Sequence, residues 1–163
     1  MNYRKLRNQV VIYISIIVYL MTGCNKHEPG TNMIVPIHEI PAIPYYASLP
    51  LTGTPWKLIG FGDDFAHNIK LAQPYSEKSF TITFLENGFL SGVTSTNSAQ
   101  GTYEILPENM IKTTFGTMTM INESPDGRVY LDALKKVYSY QISTRGLILR
   151  YETNDYLLFK PIE

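Results

Sequence analysis

The stretch Ser79-Phe80-Thr81-Ile82-Thr83-Phe84-Leu85-Glu86-Asn87-Gly88-Phe89-Leu90-Ser91-Gly92-Val93-Thr94 decides the fold class. Phe80, Ile82 and Phe84 alternate with Thr81 and Thr83, the period-2 signature of a strand with one buried and one solvated face. Asn87-Gly88 supplies the positive φ angles of a tight hairpin turn, so the chain returns antiparallel over 89–94.

Upstream, Trp56 and Leu58 share one face of a short strand over 54–61, and a polar loop with Asp63, Asp64 and Asn68 follows. Downstream, a hydroxyl-rich loop over 95–100 leads to a strand with Tyr103 and Ile105, which Pro107-Glu108-Asn109 turns. The segment 110–120 reads as extended and threonine-rich, with Thr117 and Thr119 facing away from Met118 and Met120 and Gly116 placed to kink or bulge it. One helix is predicted. Ser124 or Asp126 caps it, Pro125 suits its first turn, and Tyr130, Leu134 and Val137 recur at i, i+4 and i+7 on one stripe. Gly127 weakens the first turn, and Asp132 and Lys136 pair on the surface. Three short strands then close the chain, over 138–143, 147–151 and 156–160.

Ahead of this body lies a different kind of sequence. Arg4, Lys5 and Arg7 precede an apolar run from Val10 to Met21, then Thr22, Gly23 and Cys24, the only cysteine. A basic tip, an apolar core and small residues at its end make a secretory signal peptide over 1–23. A stable span needs ~20 apolar residues, more than this run offers. Leu20-Met21-Thr22-Gly23-Cys24 resembles the bacterial lipobox, which implies that Cys24 becomes the mature N-terminus and carries the lipid. The alternative is a secreted or membrane-inserted chain with an incidental cysteine. The lipobox resemblance also implies an outer-membrane destination, because Asn25, not aspartate, follows the cysteine.

Residues 24–50 hold five of the ten prolines, which exclude a helix and make an extended spacer. Met33, Ile34, Val35, Ile37, Ile40, Ile43, Tyr45 and Tyr46 make its second half too apolar for a purely solvated linker, so an edge strand along the domain is the alternative. The domain proper is assigned to 51–163. Removing 1–23 takes three of the 14 basic residues and none of the 14 acidic ones, leaving 11 against 14 and a net charge of −3. Nucleic acid, which requires a basic surface, is excluded as a partner on that ground. Without further cysteines the domain must be held by packing, and nine of 12 tyrosines, all seven phenylalanines and the one tryptophan lie in the mature chain.

The residues that could carry chemistry are few. Gly88-Phe89-Leu90-Ser91-Gly92 lacks the spacing of a nucleophile elbow, and there is no phosphate-cradling or dinucleotide fingerprint. Asp63, Asp64 and His67 could supply oxygen and nitrogen ligands to a metal, but no second histidine follows, their spacing matches no defined site, and a solvated loop is the reading these residues favour. Thr96 and Asn97, with Tyr103 as an apolar platform, could meet a sugar or a peptide edge. A turn whose side chains bond its own backbone is the competing explanation. Trp56, Phe80 and Phe84 read as core.

In sequence order, Leu51-x-Gly53-x-x-Trp56-x-Leu58, Phe84 before Gly88 and Gly92, Asn97 with Gly101-x-Tyr103, Thr117-Met118, Leu134 with Val137, Tyr140 and Gly146-Leu147-x-Leu149 resemble the META/HslJ-like family of small bacterial envelope domains. The resemblance implies an α+β fold: a mainly antiparallel, half-open barrel-like sheet with one packed helix. It also implies no enzymatic activity and a role in envelope stress or support, with no cofactor and with an envelope protein or small ligand as partner. Thr96, and Thr119 or Met120, stand where members often carry cysteines, so a disulfide-linked role is excluded. Gly53, Trp56 and the succession of strands also look like a lipocalin-type barrel, which would imply an apolar ligand in its lumen; a glycan-binding face is the related alternative.

Overall fold

The computed structural model describes residues 33–73, 77–118 and 122–162, the last three of the middle stretch by their backbone. Cys24, the expected signal peptide over 1–23 and residues 25–32 lie outside the described residues, as do Thr119 and Met120.

The strands are β1 (Ile34–Pro36), β2 (Pro55–Asp63), β3 (Asn68–Leu71), β4 (Thr81–Phe84), β5 (Phe89–Val93), β6 (Ser98–Ile105) and β7 (Ile111–Met118). Helix α1 (Pro125–Lys136) follows, then β8 (Ser139–Ser143), β9 (Gly146–Arg150) and β10 (Asp155–Pro161). All strand pairs are antiparallel, in the order β7-β6-β5-β4-β2-β10-β9-β8, with β3 beside the second half of β2 and β1 on β3. The two ends of this sheet curl until they meet. Met110 bridges Ser139, and the Ile111 N–H donates to the Tyr138 carbonyl at 2.9 Å. Among the described residues the result is a nearly closed barrel with an unsealed seam and a single α-helix.

The interior is filled by side chains. Trp56, Phe80, Ile82, Phe84, Leu90, Leu147, Leu149, Leu157 and Phe159 form one cluster with Tyr130, Ala133 and Leu134 from α1 and Val137 just past its end. Thus the helical stripe seen in the sequence is the face that packs into the barrel, with the Tyr130 ring edge-on to Phe80 at 5.4 Å. Ser124 is the cap: its Oγ accepts the Gly127 N–H at 3.1 Å, while Asp126 turns away to Lys70. Asp132 meets Lys135 at 3.5 Å, not Lys136. Lys136 instead reaches the carboxylate of Glu152 on the β9–β10 turn at 2.9 Å.

Two local devices shape the barrel. In β2, Leu58 pairs with Phe159 and Gly60 with Leu158, so Ile59 is an extra residue opposite none. This bulge reverses the alternation, which lets Trp56, Leu58 and Phe61 all face inward although a regular strand could not place them together. In β7, Met118 pairs with Ala99 and Phe115 with Gly101, so a second irregularity falls at the expected Gly116. The β4–β5 turn differs from the two-residue expectation. The Gly88 N–H donates to Leu85 at 3.1 Å and the Leu85 N–H to Phe89 at 2.8 Å, making a three-residue loop in which Gly88 alone takes positive φ, at 79°.

The polar loop expected after residue 61 is shorter than predicted. Asp63 still belongs to β2, and Asn68 opens β3, which supports the apolar second half of the spacer. Val35 of β1 pairs with Ile69, so the expected edge strand is realised only at Ile34–Pro36, and the segment continues against the barrel through two 3-10 turns, Ile37–Glu39 and Pro44–Ser48. Val35 and Ile40 cover an apolar patch on the outer face formed by Ile59, Ile69, Leu71, Tyr156 and Leu158.

Candidate functional site

The hydroxyl-rich loop between β5 and β6 is built around a carboxylate. Glu123, just before α1, accepts the Thr94 and Ser95 hydroxyls, the Asn97 side-chain amide and, at 3.1 Å, the Ser95 N–H. Ser95 Oγ in turn accepts the Ser124 N–H at 2.9 Å, and Ser79 Oγ donates to the Ser95 carbonyl at 2.9 Å. The loop is therefore a clasp that fastens the start of α1 to the sheet. Burial alone would raise the Glu123 carboxyl. The donors from Asn97, Ser95 and Thr94 outweigh it and hold its pKa below the usual value.

This arrangement places the predicted loop residues. Asn97 is 1% exposed and spends its amide on Glu123, and the Thr96 hydroxyl donates to the Asn122 carbonyl at 3.2 Å. Tyr103 is at the opposite end of β6. Its hydroxyl donates to the Leu85 carbonyl at 2.7 Å and its ring stands edge-on to Phe84 at 5.0 Å. The three are not brought to one surface. Gly127 is needed at its position because a Cβ there would collide with the Glu123 carboxylate and Ser95 Oγ. Helix propensity alone predicts that Gly127→Ala stabilises by about 1 kcal/mol. We expect a net loss of roughly 1–3 kcal/mol instead, from overpacking of the clasp, measured by urea denaturation.

The second predicted group is likewise dispersed. Asp63 Oδ1 accepts the N–H groups of Phe65 and Ala66 at 2.8 and 3.0 Å, forming its own turn. Asp64 forms an ion pair with Arg150. His67 takes positive φ at 51°, and its carbonyl accepts the Ile37 N–H at 3.0 Å. Among the described residues no three side chains converge as a metal site. Nearby, burial, then Glu152 and Asp63, push the Asp155 carboxyl upward. At neutral pH Asp155 therefore opposes folding, so Asp155→Asn is expected to raise the melting temperature at pH 7 and to change it less at pH 3.

An apolar concavity lies outside the barrel, between the strap of residues 33–50 and the sheet. It is a cleft of about 260 Å³ walled by Val35, Ile40, Ile43, Tyr46, Ile59 and Leu71, with Glu39, Arg145 and Lys160 around it. Arg145 also fastens the strap, its Nε donating to the Ile40 carbonyl at 3.2 Å. Sequence reasoning identified the apolar spacer residues but not Arg145 or Lys160. Each is a lone cation on a turn or a strand end, and only the folding of strap against sheet gives them a common neighbour.

Fold and surface together define a small antiparallel barrel with a filled interior, a helix clasped at its start and an apolar cleft on its outer wall. The profile of the META domain matches residues 49–163, and the chain belongs to the META domain family. Its fold is similar to that of a DUF4847-family protein from Bacteroides vulgatus, with a TM-score of 0.50 at 17% identity over 70% of this chain and 92% of that one. It is also similar to a protein from Burkholderia xenovorans, with a TM-score of 0.54 at 23% identity over 83% of this chain and 97% of that one. No curated protein matches the chain.

Proposed function

We propose that the chain is a non-enzymatic binding protein of the bacterial envelope, held at the outer membrane by acyl chains on Cys24. The observation that carries this reading is the docking of residues 33–50 on the barrel, which shortens the spacer. Only 25–32 separate the cysteine of the lipobox-like sequence from Met33, the first described residue. Extended chain covers at most ~3.6 Å per residue, so the barrel is confined within roughly 30 Å of its anchor. Two or more acyl chains, each methylene contributing about 0.8 kcal/mol, suffice for stable attachment.

The filled interior supports binding on the outer wall over binding in a lumen. Trp56, Phe80, Phe84 and Phe159 occupy the space that a lipocalin ligand would take. The expected result is that the Cys24→Ala chain leaves the membrane fraction and fails to incorporate a labelled lipid precursor, while wild type does both in the opposite sense. Membrane retention of the variant would refute the anchor.

A further inference from the structure

The outer wall of a small barrel is ordinarily wet, and its strands show polar side chains there. Around the middle of β2, β3 and β10 this chain does the reverse. Ile59, Ile69, Leu71 and Leu158 point away from the filled interior, each no more than 7% exposed, because the strap lies over them. The strap covers this patch incompletely. It leaves the cleft of about 260 Å³, whose walls are aliphatic apart from the Tyr46 ring and whose charged neighbours are two cations, Arg145 and Lys160, and one carboxylate, Glu39.

We propose that this cleft binds a free medium-chain aliphatic carboxylate, with the chain against Ile59, Leu71, Val35 and Ile40 and the head group between Arg145 and Lys160. Three features fix the class. The walls offer mainly aliphatic contact, with the polar groups limited to Glu39, Arg145, Lys160 and the Tyr46 hydroxyl. The net positive charge at the cleft matches a monoanion. Arg145 is already held in place by its bond to Ile40, so its guanidinium is oriented before ligand arrives and loses little freedom on binding. The strap that would lie over the ligand is also the segment nearest the proposed anchor. The proposal names the ligand for the binding role above and rests on that reading, but it uses residues 35–160 and is independent of acylation.

The test is titration of the purified Cys24→Ala chain with octanoate, decanoate, dodecanoate and decanol by calorimetry. The proposal requires saturable one-to-one binding that tightens about fourfold per added methylene until the cleft is full. It requires decanoate to bind tighter than decanol. Lys160→Gln should weaken decanoate by about three- to tenfold and leave decanol unchanged, whereas Arg145→Gln, which also releases the Ile40 carbonyl of the strap, should weaken both. Ile43→Trp, a substitution at a half-exposed wall position, should abolish binding with an unchanged melting temperature. Equal affinity for decanol, indifference to Lys160→Gln, or uptake only from vesicles of anionic phospholipid would each overturn the proposal. If the wild-type chain proves unacylated yet the titration succeeds, the anchor fails and the ligand assignment stands.

Discussion

Replacing Trp56 by alanine is expected to cost about 3–5 kcal/mol, a large part of the total stability of ~5–15 kcal/mol that a domain of this size has. Trp56 is fully buried on β2, its Nε1–H donates to the Leu51 carbonyl at 3.3 Å, and its ring lies in the same cluster as Phe80, Phe84 and Phe159. Truncation removes both the transferred surface and the contacts that neighbours cannot recover by collapse. Trp56→Phe, which keeps most of the volume, should lose less than half as much. The measurement is the urea midpoint at constant m-value. A small loss in the alanine variant would mean that the indole borders a hydrated lumen and not a packed core.

Glu123→Ala is the second large effect, at about 2–3 kcal/mol, because it strips acceptors from Thr94, Ser95 and Asn97, all buried. Its pH signature separates it from an ordinary truncation. The folded-state pKa of Glu123 lies below the unfolded value of about 4.3. Its contribution is therefore complete at neutral pH and disappears as the pH falls from that value through the folded one. The variant should be destabilised at pH 7 and should lose little more on acidification over that interval, whereas wild type declines. Parallel acid limbs in the two proteins would show that the clasp carries no charge-dependent stability.

The β4–β5 hairpin and α1 were legible because each is specified by its own residues. Alternation at Ile82 and Phe84 needs no knowledge of a partner, nor does the spacing of Tyr130, Leu134 and Val137, whereas Phe80, expected in the same strand, is buried just ahead of β4 with a φ of 56°. The bulge at Ile59 was not legible, since it exists only against the register of β10. Asn68–Leu71 was hidden for a related reason. Four residues after an acidic turn carry too little pattern, and what makes them a strand is pairing with β1 and β2 on either side. Of the predicted site residues, Thr96 and Asn97 fell beside the Glu123 clasp. Glu123 itself gave no signal, because the residues it binds are 26 to 29 positions away in sequence. The turn-forming explanation of the hydroxyl-rich loop is the one its hydrogen bonds support, extended by a carboxylate from beyond the loop.

The cleft follows the same logic. Val35 and Ile40 announce that the spacer is not a simple tether, but the sheet that they cover draws on three separated strands. Under the proposed acylation of Cys24, docking of the spacer on its own domain would hold the barrel close to the membrane, with the cleft on the wall to which residues 25–32 lead.

Mass spectrometry of the mature N-terminus tests the central claim most directly. The account predicts a polypeptide beginning at Cys24, with a diacylglycerol on the sulfur and an acyl chain on the amine. A chain that begins elsewhere, still carries Met1, or presents Cys24 as a free thiol would contradict it.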